Sequence, residues 1–192
     1  KYVWLFFLGI FCYVSTEQGT SIFMSTFLEQ YHGVNPQTDG AQAVRYFGGL
    51  MTAGCLVGML LLKLIDSKRL LQISGVLTIV LLLSALFGSK GIALIAFPAV
   101  GFSISMMYSI VFSLALNSAS QHHGSFAGIL CSAIVGGAGG PMIVSTIADA
   151  TSLRTGMLFI LVFVGYITFI GFWARPLINN KTVKLKKLFK KA

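Results

Sequence analysis

Residues 2–28 read YVWLFFLGIFCYVSTEQGTSIFMSTFL. About 20 apolar residues, at 1.5 Å rise each, cross roughly 30 Å of hydrocarbon, and this stretch is long enough to do so. At its centre lies a polar run, Ser15-Thr16-Glu17-Gln18-Gly19-Thr20-Ser21. A carboxylate at mid-bilayer costs about 2.5–3.5 kcal/mol on insertion scales. Such a residue is kept where water, a proton or a substrate reaches it. The run is expected to interrupt the helix, as in the discontinuous helices of transporters.

Five further apolar stretches follow, roughly 44–62, 70–88, 91–117, 125–147 and 155–174. They are continuous rather than alternating, which argues for helices and against a barrel. Hydrophobic residues make up 56% of the 192 and charged residues 10%, too apolar for a soluble domain. The expected fold is an all-α membrane protein, with six transmembrane helices over 1–176 and a basic cytoplasmic tail over 177–192. The first stretch is too long for a signal-peptide core and has no small-residue cleavage site. The chain starts at Lys1 without an initiator Met, and we expect it to be a piece of a longer protein.

The charge pattern sets the orientation. Lys1, Lys63, Lys68, Arg69, Arg175 and the six lysines of the tail fall on one side, eleven in all. Arg45, Lys90 and Arg154 fall on the other, three in all. The positive-inside rule makes both ends of the segment cytoplasmic. The net charge of +9 is thus spent on topology, and a nucleic-acid partner is not expected. In the tail, Leu185, Leu188 and Phe189 at helical spacing fit either an amphipathic helix on the anionic leaflet or a plain topology-setting tail.

Enzyme classes find little footing. An intramembrane serine protease needs a histidine within the membrane. Here His32, His122 and His123 fall in expected loops, and there is no Gly-x-Ser-Gly. No Walker-type loop is present. Cys12, Cys55 and Cys131 sit in apolar stretches without metal-ligand spacing and read as small buried residues. No metal and no cofactor is expected.

Several groups suit a polar substrate. Glu17 has three open roles: proton carrier, acceptor for a sugar hydroxyl, or partner of a neighbouring helix. Gln18 offers two donors and an acceptor, suited to a pair of hydroxyls or to an interhelical bond. Tyr13, one turn before Glu17, suits stacking on a sugar face or packing. Ser21 is one turn after Glu17. Ser105, Ser109, Ser113 and Asn117 stand four apart and form one polar stripe, with Tyr108 beside it. Such serines line a cavity or bond back to their own helix. Gly54 and Gly58, and then Gly128, Ser132, Gly136 and Gly140, make small-residue seams for close helix packing. The second seam ends at Pro141, so Gly136, Gly140 and Pro141 form the candidate hinge. The 70–88 stretch, nearly pure Leu, Ile and Val, reads as a lipid-facing support helix. Asp149 reads as a cap outside the fifth span, and Arg154 as an anchor of the sixth.

Tyr13-Val-Ser-Thr-Glu17 resembles the Tyr-Val-Gly-Ala-Glu pattern of the fucose/galactose/glucose–proton symporter family, within the major facilitator superfamily. Phe112-Ser-Leu-Ala-Leu116, residues 128–138 and Ala148-Asp149 are also similar to it, in order and spacing, over nearly the whole chain. The resemblance implies the C-terminal six-helix half of a twelve-helix carrier of the bacterial inner membrane. Its partner would be the missing N-terminal six-helix half. It implies import of a monosaccharide with protons by alternating access, with Glu17, Gln18 and Tyr108 close to the sugar. It also implies that the main coupling acids lie in the other half, leaving Glu17 as the proton-coupling candidate here. The sequence departs from the family at Gly54-Cys55-Leu-Val-Gly58, where the family commonly has Gly-Arg-x-x-Gly, and at Ser109, where an aromatic–Pro step is common. Two other readings compete: an efflux carrier of the same superfamily, and a non-transporting membrane scaffold.

Overall fold

The computed structural model describes residues 2–118 and 123–174. The basic tail 177–192, Lys1 and His122 lie outside the described residues. Helix α1 runs Tyr2–His32, 31 residues without a break. The expected interruption at the polar run is therefore corrected. Two of its hydroxyls bond carbonyls and leave the helix's own N–H groups in place. Thr16 Oγ1 donates to the Cys12 carbonyl at 2.8 Å, and Ser15 Oγ donates across to the Gly136 carbonyl at 3.0 Å. Glu17 and Gln18 are themselves good helix formers. The helix ends at Gly33, whose φ of 61° is a left-handed conformation natural to glycine.

Asn35 then closes a turn, its side chain accepting from the Gln37 N–H at 2.9 Å. A wide helical turn over Pro36–Gly40 leads into α2, Ala41–Leu64. Asp66 caps α3, Ser67–Phe87, by accepting from the Lys68 N–H at 3.3 Å. Next come α4, Lys90–Ile104, and α5, Met107–Asn117, which together fill the fourth apolar stretch with a break at Ser105-Met106. The fifth comprises α6, His123–Ser132, a 3₁₀ turn over Ala133–Val135, and α7, Gly136–Ala150. Ser152 caps α8, Leu153–Leu158, which continues into α9, Ile160–Trp173. All regular structure among the described residues is helical.

Five of these runs are long and apolar enough to cross a membrane: Pro36–Leu64, Ser67–Phe87, Lys90–Asn117, Gly124–Ala150 and Leu153–Trp173. Helix α1 has the length, but its central polar run dilutes its hydropathy.

Helix α1 is the keel of the bundle. It packs against α7 and α9, and more lightly against α5 and α4. Tyr166 of α9 donates to the Leu5 carbonyl at 3.0 Å. Helix α2 packs on α4 through its small residues: a Cβ at Gly54 would meet the Phe102 carbonyl oxygen at 2.7 Å, and Gly58 lies under Met106. The third stretch has two faces, one for the surroundings and one for the bundle. Helix α3 exposes Ile73, Val76, Leu77 and Val80, yet buries Leu70, Leu71, Ser74, Gly75, Thr78 and Leu82. Across that face Thr78 and Ser103 share a hydroxyl hydrogen bond at 2.7 Å, and Gln72 Nε2 donates to the Gly171 carbonyl at 3.0 Å.

Three smaller expectations also change. His32 is the last residue of α1 and His123 the first of α6, so neither is a loop residue. Asp149 lies within the last turn of α7 rather than beyond it. The serine stripe is divided by the break: Ser109 and Ser113 are exposed on α5, while Ser105 is buried before it.

Candidate functional site

Glu17 is the midpoint of α1, fifteen residues from either end. It is half-buried, as are Gln18 and Ser21. The 3.6-residue period places Tyr13, Glu17 and Ser21 one above another along α1. Gln18 lies over Gly137 of α7.

The site crosses to α5 through aromatic rings. Tyr13 and Tyr108 have ring centroids 5.6 Å apart, tilted by 53°. Tyr108 stacks on Phe112, one turn further along α5, at 5.8 Å and 21°. Offset and tilted aromatic pairs of this spacing are favourable. Tyr108 keeps part of its surface open, whereas Tyr13 is only 4% exposed. The structure thus brings Tyr13, Glu17, Gln18, Ser21 and Tyr108 into one region. Ser105 is set apart: 4% exposed, it donates to the Phe102 carbonyl at 2.8 Å, and its own carbonyl accepts from the Cys55 thiol at 3.3 Å.

Beside this region lies the seam between α1 and α7. Gly136 and Gly140 are buried against Phe11 and Ser15 of α1. A Cβ at Gly136 would come within 3.0 Å of Phe11 Cα, and one at Gly140 within 2.5 Å of Ser15 Cα. Backbones come this close only over residues without side chains. Pro141 lies within α7, whose helix continues past it. Its missing N–H leaves the Gly137 carbonyl without the usual helical partner. The tightened turn is upstream, at Ala133–Val135.

One end of the bundle holds an arginine cage that sequence reasoning missed. The Arg154 guanidinium carbon sits 4.5 Å from the Tyr31 ring centroid, 5.5 Å from Phe87 and 5.9 Å from Phe27. The Arg154 backbone N–H donates to the Tyr31 hydroxyl at 3.3 Å. Helices α1, α3 and α8 therefore meet on one cation. The aromatic residues lie scattered along the sequence, and no spacing announces their convergence.

Comparison with known proteins gives the following. No model of a known protein family matches the chain. A glucose/galactose transporter of Brucella abortus is 34% identical over 166 residues, 85% of this chain and 40% of that protein. A putative glucose/galactose transporter of Helicobacter pylori is 32% identical over 153 residues, 79% of this chain and 37% of that protein. The chain thus spans about two fifths of the length of the curated relatives it matches. Among solved structures, the chain is similar to the Escherichia coli fucose:proton symporter, with a TM-score of 0.85 at 18% identity over 91% of this chain and 43% of that one. A crystal structure of the major facilitator transporter FucP in its outward conformation gives a TM-score of 0.81 at 17% identity, over 91% of this chain and 42% of that one. The all-helical bundle is therefore of the major facilitator type, and the chain is a multi-pass membrane protein.

Proposed function

Since the chain belongs to the fucose/galactose/glucose–proton symporter family of the major facilitator superfamily, we propose that it is the C-terminal six-helix half of a proton-coupled monosaccharide importer. Helix α1 is its first span and completes six with the five apolar runs that follow, and the missing partner is an N-terminal half of similar size. The sugar class we favour is D-glucose or D-galactose, which the names of the relatives above 30% identity carry. The protein would lie in the bacterial inner membrane with both ends of this segment in the cytoplasm, as the eleven-to-three charge asymmetry supports.

The observation that carries the reading is the polar and aromatic group at the midpoint of α1. Glu17 and Gln18 offer acceptors and donors for sugar hydroxyls, Ser21 a further hydroxyl, and Tyr108 an open ring for the sugar's apolar face. Carriers of this architecture hold substrate near the midplane between their halves. Sugar and proton bind from outside, the halves rock, and both leave inside. Coupling requires that the empty and doubly loaded forms switch readily while singly loaded forms do not. Glu17 contributes sugar bonding and is the candidate proton site in this half. Gly136, Gly140 and Pro141 give α7 a face that slides and bends against α1 as the halves move. Ser105 supports the α4–α5 break against α2. An efflux carrier would need a more apolar cavity than this group provides.

The test is the pH of a weakly buffered suspension of deenergised cells expressing the complete transporter. Adding D-galactose or D-glucose is expected to make the medium more alkaline, and Glu17→Gln to abolish that response. No response to either sugar or to L-fucose, with the protein verified in the membrane, would reject the reading.

A further inference from the structure

We propose that the aromatic cage of Arg154 is the head of a binding site for an anionic phospholipid. The lipid phosphate sits on the guanidinium, and one acyl chain runs down the outer face of α3. The site stands apart from the sugar group. Tyr31 of the cage lies fourteen residues beyond Glu17 on α1, about 21 Å at 1.5 Å per residue.

The cation is the first observation. The Arg154 guanidinium has the rings of Tyr31, Phe87 and Phe27 around it. Among the described residues no acid and no hydrogen-bond acceptor reaches it. Its Nε is buried without a partner. Its two terminal amino groups are unpartnered as well, and the half-buried side chain leaves them open. Rings offset only part of the cost of taking such a charge out of water. Two terminal N–H groups side by side are the fork from which a phosphate accepts bidentately.

The second observation is the surface directly below. Val76, Val80, Leu83 and Phe87 of α3 are all exposed, and their spacing of four, three and four puts them on one helix face. Phe87 therefore belongs both to the cage and to this apolar stripe. From Phe87 down to Leu77 is ten residues, about 15 Å. That is half of the roughly 30 Å hydrocarbon core, the depth of one leaflet. At the lower end Leu77 and Val80 help to line a shallow apolar groove of about 460 Å³.

A cationic fork at the rim with one leaflet's depth of apolar surface beneath it matches one kind of amphiphile, a phospholipid. The charge left unpaired favours a headgroup with net negative charge. Lys90, exposed three residues beyond Phe87 at the start of α4, adds a second cation at the same end.

The experiment is native mass spectrometry of the delipidated full-length transporter, titrated with phosphatidylglycerol and, in parallel, with phosphatidylcholine. The readout is Kd for the tightest-bound lipid. Phosphatidylglycerol is expected to bind about tenfold more tightly, the size of a hydrogen bond to a charged group. Arg154→Gln should abolish that preference, and Arg154→Lys should keep part of it. Arg45→Gln, which removes a cation that the charge pattern puts on the same membrane side, should keep all of it. Val80→Gln leaves the cage intact and should weaken both lipids about threefold. Excess inorganic phosphate, which has no chain, should displace neither. Equal affinities for the two lipids in the wild type, a preference that survives Arg154→Gln, or one lost equally in Arg45→Gln overturns the site. Displacement by inorganic phosphate, or wild-type affinities in Val80→Gln, overturns the part given to α3. A wild type that binds neither lipid tightly, with Arg154→Gln still less stable to heat, would give the cation to an acidic side chain of the N-terminal half and overturn the lipid site.

Discussion

Gly140→Ala adds one methyl group at the tightest point of the α1–α7 seam. The new carbon would lie within 2.5 Å of Ser15 Cα and 2.7 Å of Ser15 Oγ, where non-bonded carbons rest at about 3.5–4.0 Å. The shortfall is about 1 Å, and the nearest obstacles, Ser15 Cβ and Cα, are fixed to the α1 backbone and cannot swing aside. The helices must part. Overpacking of this kind costs about 1–3 kcal/mol. A comparable separation also breaks the 3.0 Å hydrogen bond from Ser15 to the Gly136 carbonyl, and interhelical bonds in membranes average about 0.6 kcal/mol with a maximum near 1.7. The expected loss is about 2–4 kcal/mol. The control is Gly165→Ala on α9, where nothing lies within 4 Å of an added Cβ and alanine gains up to about 1 kcal/mol of helix propensity. The assay is recovery of monodisperse full-length transporter after heating in detergent. Gly140→Ala should lower the midpoint by on the order of 2–5 °C in a protein of that size, and Gly165→Ala should leave it unchanged or raise it slightly. If both variants melted with the wild type, the close approach of α1 and α7 would be refuted.

Three further outcomes are expected. Gly136→Leu puts a bulky side chain against the Phe11 backbone and should cut the rate of sugar uptake, measured per molecule at the membrane; unchanged uptake at normal abundance would remove Gly136 from the moving face. Arg154→Gln empties the aromatic cage of its cation and should cost about 1–2 kcal/mol, read as a lowered melting midpoint, with Arg154→Lys losing less; equal melting of all three would deny the cage any role in stability. Tyr108→Ala should raise the KM for uptake by about tenfold, since a ring contact contributes about 0.5–1.5 kcal/mol beyond its buried area, while Tyr108→Trp should keep most of the affinity. A silent Tyr108→Ala would move the stacking surface elsewhere.

The helical membrane architecture was legible because about twenty apolar residues in a row have few other fates in a chain this hydrophobic. The seam of Gly136 and Gly140 was legible for a similar reason: small residues four apart on one helix face signal close approach. The polar run was misjudged as an interruption because its hydroxyls and acid look helix-breaking in an apolar context. In the structure Thr16 bonds back to the Cys12 carbonyl on its own helix, and Ser15 reaches the Gly136 carbonyl of α7, a partner only the tertiary fold supplies. The break at Ser105-Met106 carries no glycine or proline of its own and so left no local signal. Which face of α3 packs on the bundle was not legible, because leucine and isoleucine serve an outer face and a protein face equally well. Tyr13 and Tyr108 stand ninety-five residues apart, and their ring contact depends on how α5 leans on α1. That pairing is what separates Tyr13, which is closed in, from Tyr108, which is open, and no spacing rule distinguishes the two.

The arginine cage has a mechanical consequence. Tyr31 lies fourteen residues beyond Glu17 on one unbroken helix, about 21 Å at 1.5 Å per residue. With Arg154 pinning that end between three rings, α1 behaves as a lever whose fulcrum is at the cage and whose load is the carboxylate. A tilt of about 10° about the pin would carry Glu17 sideways by roughly 4 Å, more than the length of a hydrogen bond. Small rotations at the rim are thus magnified at the midplane, where making or breaking a single bond to a hydroxyl takes no more than that distance.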